Sequence, residues 1–308
     1  MKLSITLATY ALSLISSATY GALPSFDEIN TIKKQLAQEQ SRRSALSSAE
    51  QKSLASLFQG LGNTGDIPLS MLPTLSYDVL NLSEGDAQAN VDKWMALSGL
   101  DGVIHRSSMG IDGKDKAYAQ RCANAASASY LWGAYHFLRQ QGSGEDQAKW
   151  FIKTISEIPN HPARVLLIVD AEYLRDSSSP HPTVRQVIEC ADTIHKLTGV
   201  YPGIYTGQNF LWEQFNKTGY DAAAKNALDN TWLWIARYSD SRTKLIFPEV
   251  SSPPWQKWTL WQVGDKDNKS PMVDSIPAEI NIFKGTPEQL VKFWNAHSWN
   301  YSPPSPAS

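Results

Sequence analysis

The sequence predicts an α/β barrel with incomplete helical cladding, and three observations carry that prediction. From Ser76 to about Phe293, short apolar runs alternate with helix-length amphipathic segments, the pattern of strands joined by crossovers. The runs number eight, enough to close a barrel. Neither GxGxxG nor GxxxxGK[ST] occurs, so a doubly wound open sheet, the structural alternative, lacks the phosphate-binding turn it usually carries.

In chain order, the first residues are MKLSITLATYALSLISSATYGA, with one positive charge at Lys2, an apolar stretch from Leu3 to Ile15 and then small residues. This reads as a secretory signal peptide over residues 1–21. The competing reading, a membrane anchor, fits less well, because a spanning helix needs about 20 apolar residues and Ser and Thr interrupt this run. The mature chain is therefore expected to be secreted or periplasmic, with no membrane span. Residues 22–75 are rich in Ala, Gln, Ser and Lys. Phe26, Ile29, Ile32 and Leu36, then Leu54, Leu57 and Phe58, recur at helical spacing, which predicts a helical N-terminal arm ended by LGNTGDIP.

The barrel is placed at residues 76–298, with strand runs SYDVLNL, GVIHRSS, LWGAYHFL, RVLLIVDAE, GIYTG, TWLWIARY, WTLWQVG and AEINIF. Between the first six lie the helix candidates AQANVDKWMALSG, KDKAYAQRCANAASAS, DQAKWFIKTISEI, TVRQVIECADTIHKLTG and QNFLWEQFNKTG. The last three runs are separated by stretches with more Pro, Ser and Asn, so their connections are read as irregular. The closing WNYSPPSPAS, residues 299–308, is read as a disordered tail.

Composition narrows the function. The chain has 308 residues, 28 Lys+Arg against 30 Asp+Glu and a formal charge of −2. That balance gives no electrostatic case for nucleic acid, and 42% hydrophobic residues exclude wholesale disorder. The 11 Trp and 12 Tyr supply flat faces that suit sugars, although core packing explains most such residues equally well. Cys122 and Cys190 are too few for a disulfide scaffold. The barrel puts them on the helices after strands two and four, with another helix between. Since a disulfide needs Cα atoms within about 7 Å, two unpaired thiols are expected. Four N-x-S/T sequons begin at Asn81, Asn216, Asn268 and Asn300.

The chemistry concentrates where five apolar residues of RVLLIVDAEY give way to Asp170 and Glu172. Side chains at i and i+2 share one face of a strand, so the two carboxyls are neighbours. Their repulsion raises the pKa of one and makes it a proton donor near neutral pH. The end of a barrel strand is where such groups act; the alternative is that two acids simply terminate a strand. Asp78 lies in the first run and Glu279 in the last, adjacent strands if the barrel closes. Asp78, Asp170, Glu172 and Glu279 then converge, which is the set that glycoside hydrolysis requires. No Ser-His-Asp spacing or GxSxG elbow competes. There is no HExxH and the six His are scattered, so neither a metal nor another cofactor is expected. His105 and His136 are read as hydrogen-bonded core imidazoles.

The succession YDVLNL, GVIHRSS, WGAYHFLR, LLIVDAEY, YPGIYTGQNFLW, LWIARYS, LWQVGD and EINIF resembles glycoside hydrolase family 25, the Chalaropsis-type lysozymes, from about Ser76 to Phe293. The resemblance implies a (β/α)5(β)3 barrel that cleaves the β-1,4 bond between N-acetylmuramic acid and N-acetylglucosamine in peptidoglycan; separately, the chain is expected to be a monomer. Position by position it makes Glu172 the general acid and Asp170 its companion, which stabilises the intermediate or orients the substrate's acetamido group. Asp78 matches the acid of the first strand and Glu279 that of the last. Tyr135 and Tyr205 match aromatics bordering the cleft, and Arg106 falls where the family commonly has a basic residue. Trp261 and Asn281 complete the expected substrate contacts. The chain departs from the family pattern in two places. The family's first strand continues D-V-S with Gln-Gly nearby, against VLNLSEGD here, and its last strand reads D-x-N, against Glu279 and Asn281. These departures leave open a sugar-binding barrel without turnover, and a hydrolase of another N-acetylated glycan such as chitin.

Overall fold

The computed structural model describes residues 76–95, 101–127, 130–159, 161–174, 178–217, 221–238, 248, 250, 254–264, 272–273, 276–277, 279–285 and 287–301. The expected signal peptide, the helical arm over residues 22–75 and residues 302–308 lie outside them.

The eight predicted runs form eight barrel strands: β1 Ser76–Leu82, β2 Gly102–Met109, β3 Leu131–Phe137, β4 Arg164–Asp170, β5 Gly203–Gly207, β6 Trp232–Ala236, β7 Leu260–Gln262 and β8 Ile280–Phe283. Successive strands from β1 to β7 pair in parallel. β8 runs antiparallel to both β7 and β1, and the β1–β2 ladder closes the ring. The crossovers carry α1 Gln88–Met95, α2 Tyr118–Ser127, α3 Gly144–Ser156 and α4 Val184–Thr198, and after β5 a helical turn Gln208–Phe210 continues into a π-helical turn Leu211–Phe215. Two further helices, α5 Ala222–Asp229 and α6 Pro287–His297, were not anticipated from the sequence. The order and closure are those of the expected (β/α)5(β)3 barrel.

Strand alternation sorts the core into two layers. Val79, Ile104, Leu166, Ile168, Trp234 and Leu260 fill the barrel, whereas Leu80, Val103, Leu167, Val169, Leu233 and Ile235 pack outward against the helices. Local signals set the helix ends. Thr183 caps α4 in a reciprocal capping box with Gln186, and Gly199 ends it at φ 78°. Ser143 caps α3 through the Asp146 N–H. Among the described residues no helix is long and apolar enough to cross a membrane.

α6 closes the barrel floor. The Trp294 indole lies under β2 and β3, where a Cβ added at Gly102 would stand 3.1 Å from the ring and one at Gly133 3.3 Å. Its N–H donates to the Trp132 carbonyl at 3.0 Å. The chain then adds a strand, Ser298–Asn300, antiparallel to the start of β4, and the Tyr301 hydroxyl donates to the Ser156 carbonyl at 2.8 Å. The tail predicted to be disordered from residue 299 is thus ordered as far as Tyr301. Trp299 and Tyr301 anchor it, and the Pro- and Ser-rich composition of the whole segment hid them.

Cys122 and Cys190 are both buried and unpaired, as expected. Burial pushes the Cys122 thiol up to about 12 and raises that of Cys190 as well. We expect a thiol reagent to leave both untouched in the native protein and to label both after denaturation, with reduction leaving the intact mass unchanged.

His105 and His136 are fully buried and neutral. The His105 Nδ1–H donates to the Arg106 carbonyl at 2.7 Å, so Nε2 accepts from Arg121 at 3.0 Å. Arg121 also ties down the turn after β1 through the Ser83 and Asp86 carbonyls. Ser108 and Gln147 bracket His136. Desolvation lowers His105 to about 3 and His136 to about 4. Because these folded-state values lie below the unfolded 6.5, the stability each imidazole contributes is complete above pH 6.5. It is lost as pH falls through the window down to about 3 or 4, at about 1.4 kcal/mol per pH unit for each. Denaturant titrations across that window are expected to show this acid loss, and His105→Asn to flatten it.

Candidate active site

β4 brings the first two acids to the mouth of the barrel. Its run Val165–Val169 is buried throughout, and Asp170 continues the inward parity of Leu166 and Ile168 at 6% exposure. The Leu138 N–H donates to the Asp170 carbonyl and the Ala171 N–H to the Tyr205 carbonyl, each at 2.9 Å, which carries the ladder one residue past the strand. Glu172 follows, half-buried. Burial, followed by the charges of Glu172 and Glu279, pushes the Asp170 carboxyl well above the usual carboxylate range, while Arg106 pulls it down. Its Oδ1 is buried and has no hydrogen-bond partner among the described residues. The phenol of Tyr135 is held un-ionised by burial and by the same neighbours, Asp170 and Glu279, with Arg106 acting the other way. The structure therefore places Asp170, Glu172, Glu279, Arg106 and Tyr135 in one electrostatic neighbourhood.

Amides line the opposite wall. Tyr205, the register partner of Asp170 on β5, donates its hydroxyl to Gln262 Oε1 at 2.6 Å, and Tyr238 donates to the same oxygen at 2.9 Å. Gln262 Nε2 donates to Asn81 Oδ1 at 3.2 Å and faces Glu279 Oε2 at 3.5 Å. Asn81 Nδ2 donates to Glu279 Oε2, and its backbone N–H donates to the Glu279 carbonyl at 3.1 Å. Behind them Asn281 is fully buried with its amide engaged. Its Oδ1 accepts from the Trp234 indole at 2.7 Å, and its Nδ2 donates to Asn81 Oδ1 at 2.8 Å and to the Val79 carbonyl at 3.1 Å.

Arg106 is fixed from the other side. Its Nε donates to Asp115 Oδ2 at 3.1 Å and its Nη2 to Glu84 Oε1 at 3.3 Å. The Glu84 N–H donates to Asp115 Oδ2 at 2.8 Å, which joins the turn after β1 to the short strand Gly113–Lys114 that folds back on β2. Among the described residues no group of three or more His, Cys, Asp or Glu side chains is arranged to hold a metal ion. Among the described residues the site offers the neighbouring carboxyls of Asp170 and Glu172, a third carboxyl from Glu279, the Arg106 guanidinium and the phenol hydroxyls of Tyr135 and Tyr205.

A model of glycosyl hydrolases family 25 matches residues 81–271, well over half of the chain. The chain belongs to glycosyl hydrolases family 25. Solved structures share its fold. A family GH25 lysozyme from Aspergillus fumigatus is 23% identical with a TM-score of 0.52, covering 72% of this chain and 98% of that one. A muramidase from Trichobolus zukalii is 21% identical with a TM-score of 0.53, covering 72% and 99%. A bacterial lysozyme from Streptomyces coelicolor is 17% identical with a TM-score of 0.53, covering 73% and 98%. No curated protein sequence matches the chain.

In this family 25 barrel, the residues singled out in the sequence divide. Asp170, Glu172, Glu279, Arg106, Tyr135 and Tyr205 come together, and Asn281 lies beneath them with its amide already engaged. Trp261 does not join them. β7 turns Leu260 and Gln262 inward and Trp261 outward, where it is 0% exposed and donates its indole N–H to the Arg237 carbonyl at 2.9 Å. Asp78 lies on β1, but its side chain is outside those described. Among the described side chains of β1, Asn81 reaches the cluster, and the family 25 match begins at this residue. Asn81 and Gln262 escaped the sequence reading because it sought carboxylates. The available signal was Asn81-Leu82-Ser83, which has the shape of the family's D-V-S with an amide in place of the acid.

Proposed function

We propose that this family 25 glycosyl hydrolase is an exported, monomeric peptidoglycan hydrolase that cuts the β-1,4 bond between N-acetylmuramic acid and N-acetylglucosamine, with Glu172 as general acid. The observation that carries the reading is the pair at the end of β4: a buried Asp170 with an orphaned oxygen beside a half-buried Glu172. Two carboxyls this close share one proton near neutral pH and titrate as a pair. An incoming glycosidic oxygen draws that proton to Glu172, the accessible member, and cleavage leaves positive charge at the anomeric carbon. The ionised carboxylates stabilise that charge, and the free Oδ1 of Asp170 suits the N–H of a substrate acetamido group. The fold shared with proteins described as lysozymes and muramidases supports peptidoglycan as the polymer.

Digestion of purified peptidoglycan followed by mass analysis tests the reading, with chitin as the parallel substrate. Fragments with muramic acid at the reducing end, produced by the wild type and not by Glu172→Gln, are the expected result. One observation favours a second reading. β1 presents an amide, Asn81, to the cluster, and an amide there neither ionises nor transfers a proton, which suits a barrel that holds glycan without cutting it. Intact glycan that nevertheless binds supports that reading.

A further inference from the structure

The hydrogen bonds behind Glu279 have a direction. An indole N–H only donates and a backbone carbonyl only accepts. Trp234 Nε1 donates to Asn281 Oδ1, and the Val79 carbonyl accepts from Asn281 Nδ2, so two one-way groups fix that amide independently. Asn281 Nδ2 must then donate to Asn81 Oδ1. Gln262, whose Oε1 takes the hydroxyls of Tyr205 and Tyr238, supplies a second donor to the same oxygen. With Oδ1 occupied twice, Asn81 can offer only N–H groups to Glu279 Oε2. Gln262 Nε2 faces the same carboxylate oxygen at 3.5 Å.

We propose that Asn81 is a positioning residue that terminates this donor relay on Glu279 and holds it as the ionised member of the acid cluster, leaving the exchangeable proton to Asp170 and Glu172. Donors aimed at a carboxylate favour its charged form. The described groups around Glu279 allow it. The Asp170 and Glu172 carboxyls come from the end of β4, and the Arg106 guanidinium comes from β2, backed by Asp115 and Glu84. Tyr135, Tyr205 and Tyr238 contribute phenols from β3, β5 and the end of β6. The Asp170 carboxyl, shifted well up by its burial, is the natural place for the proton that Glu279 is denied. An acid at position 81 would reverse this arrangement, because two facing carboxylates would take up a proton of their own. In its consequence for catalysis the inference rests on the function proposed above; the protonation pattern itself does not.

Carboxyl carbon-13 NMR of the full chain, titrated with pH, tests the inference without substrate. Resonances are assigned by their loss in Glu279→Gln and Asp170→Asn. We expect the Glu279 signal to titrate below that of Asp170 in the wild type. In the near-isosteric Asn81→Asp variant it should rise by about one pH unit or more. In active protein, kcat/KM should follow, its acidic limb moving to higher pH by a similar amount rather than only losing amplitude. A wild-type Glu279 that titrates at or above Asp170, or a Glu279 unmoved by Asn81→Asp, overturns the proposal. A wild type inert on peptidoglycan but with the expected titration overturns the functional reading alone.

Discussion

Glu172→Gln is expected to lower the rate of peptidoglycan cleavage by about 10²–10⁴, the usual contribution of a positioned proton donor. Glutamine keeps the shape of the side chain and its hydrogen-bonding reach but has no proton to give. The fall should therefore appear in kcat with little change in KM or in melting temperature. Glu172 stands at half-burial beyond the last residue of β4, so the substitution leaves no cavity. It also removes a charge beside Asp170, which loses one of the influences that raise its pKa. Kinetics on soluble peptidoglycan fragments across pH would check both effects. Unchanged kcat would remove Glu172 from the chemistry and return the search for a donor to Asp170.

Trp294→Ala is expected to cost about 3–5 kcal/mol of stability, the range for truncating a buried aromatic side chain. That corresponds to a fall on the order of 10 °C in Tm for a barrel of this size. Trp294 is 1% exposed and fits the space left by the missing side chains of Gly102 and Gly133. Those glycines cannot relax into the void, because they have nothing to extend. The Trp132 carbonyl would also lose the donor it takes from the indole. Calorimetric melting against the wild type measures the loss; a change below about 1 kcal/mol would mean that the floor closes without this ring.

Much of this architecture was legible because the barrel strands are short, apolar and separated by amphipathic stretches. RVLLIVDAEY was the clearest case. Five buried residues ending in two acids report at once a central strand, its direction and the end that carries the acids. Parity was harder to read. A three-residue strand such as Leu260–Gln262 offers too few positions to fix which face is inward, so Trp261 was assigned to the cleft while Gln262, the residue that reaches it, was passed over. On β1 the search for a carboxylate led to Asp78, whose side chain lies outside those described, and passed over Asn81, which with Val79 faces inward. The role of an amide in a polar network is set by its partners, which for Asn81 lie nearly two hundred positions away in the chain. α6 was missed for a related reason. Leu290 and Trp294 are a helical pair, but what makes them core is a hole in the barrel floor that two distant glycines create.

The single reversed strand has an architectural consequence. Connections leaving a parallel barrel strand must return to the opposite pole before the next strand starts. The link from β7 to β8 need not, because β8 begins on the side where β7 stops. Both of its ends therefore sit at the pole that carries Asp170 and Glu172, and it contains the small hairpin of Met272–Val273 with Ile276–Pro277. Lengthening this one link would remodel two adjoining walls of the cavity together while leaving the staves untouched. The same reversal deposits the end of β8 at the far pole, which is how the helix that follows comes to stopper the base.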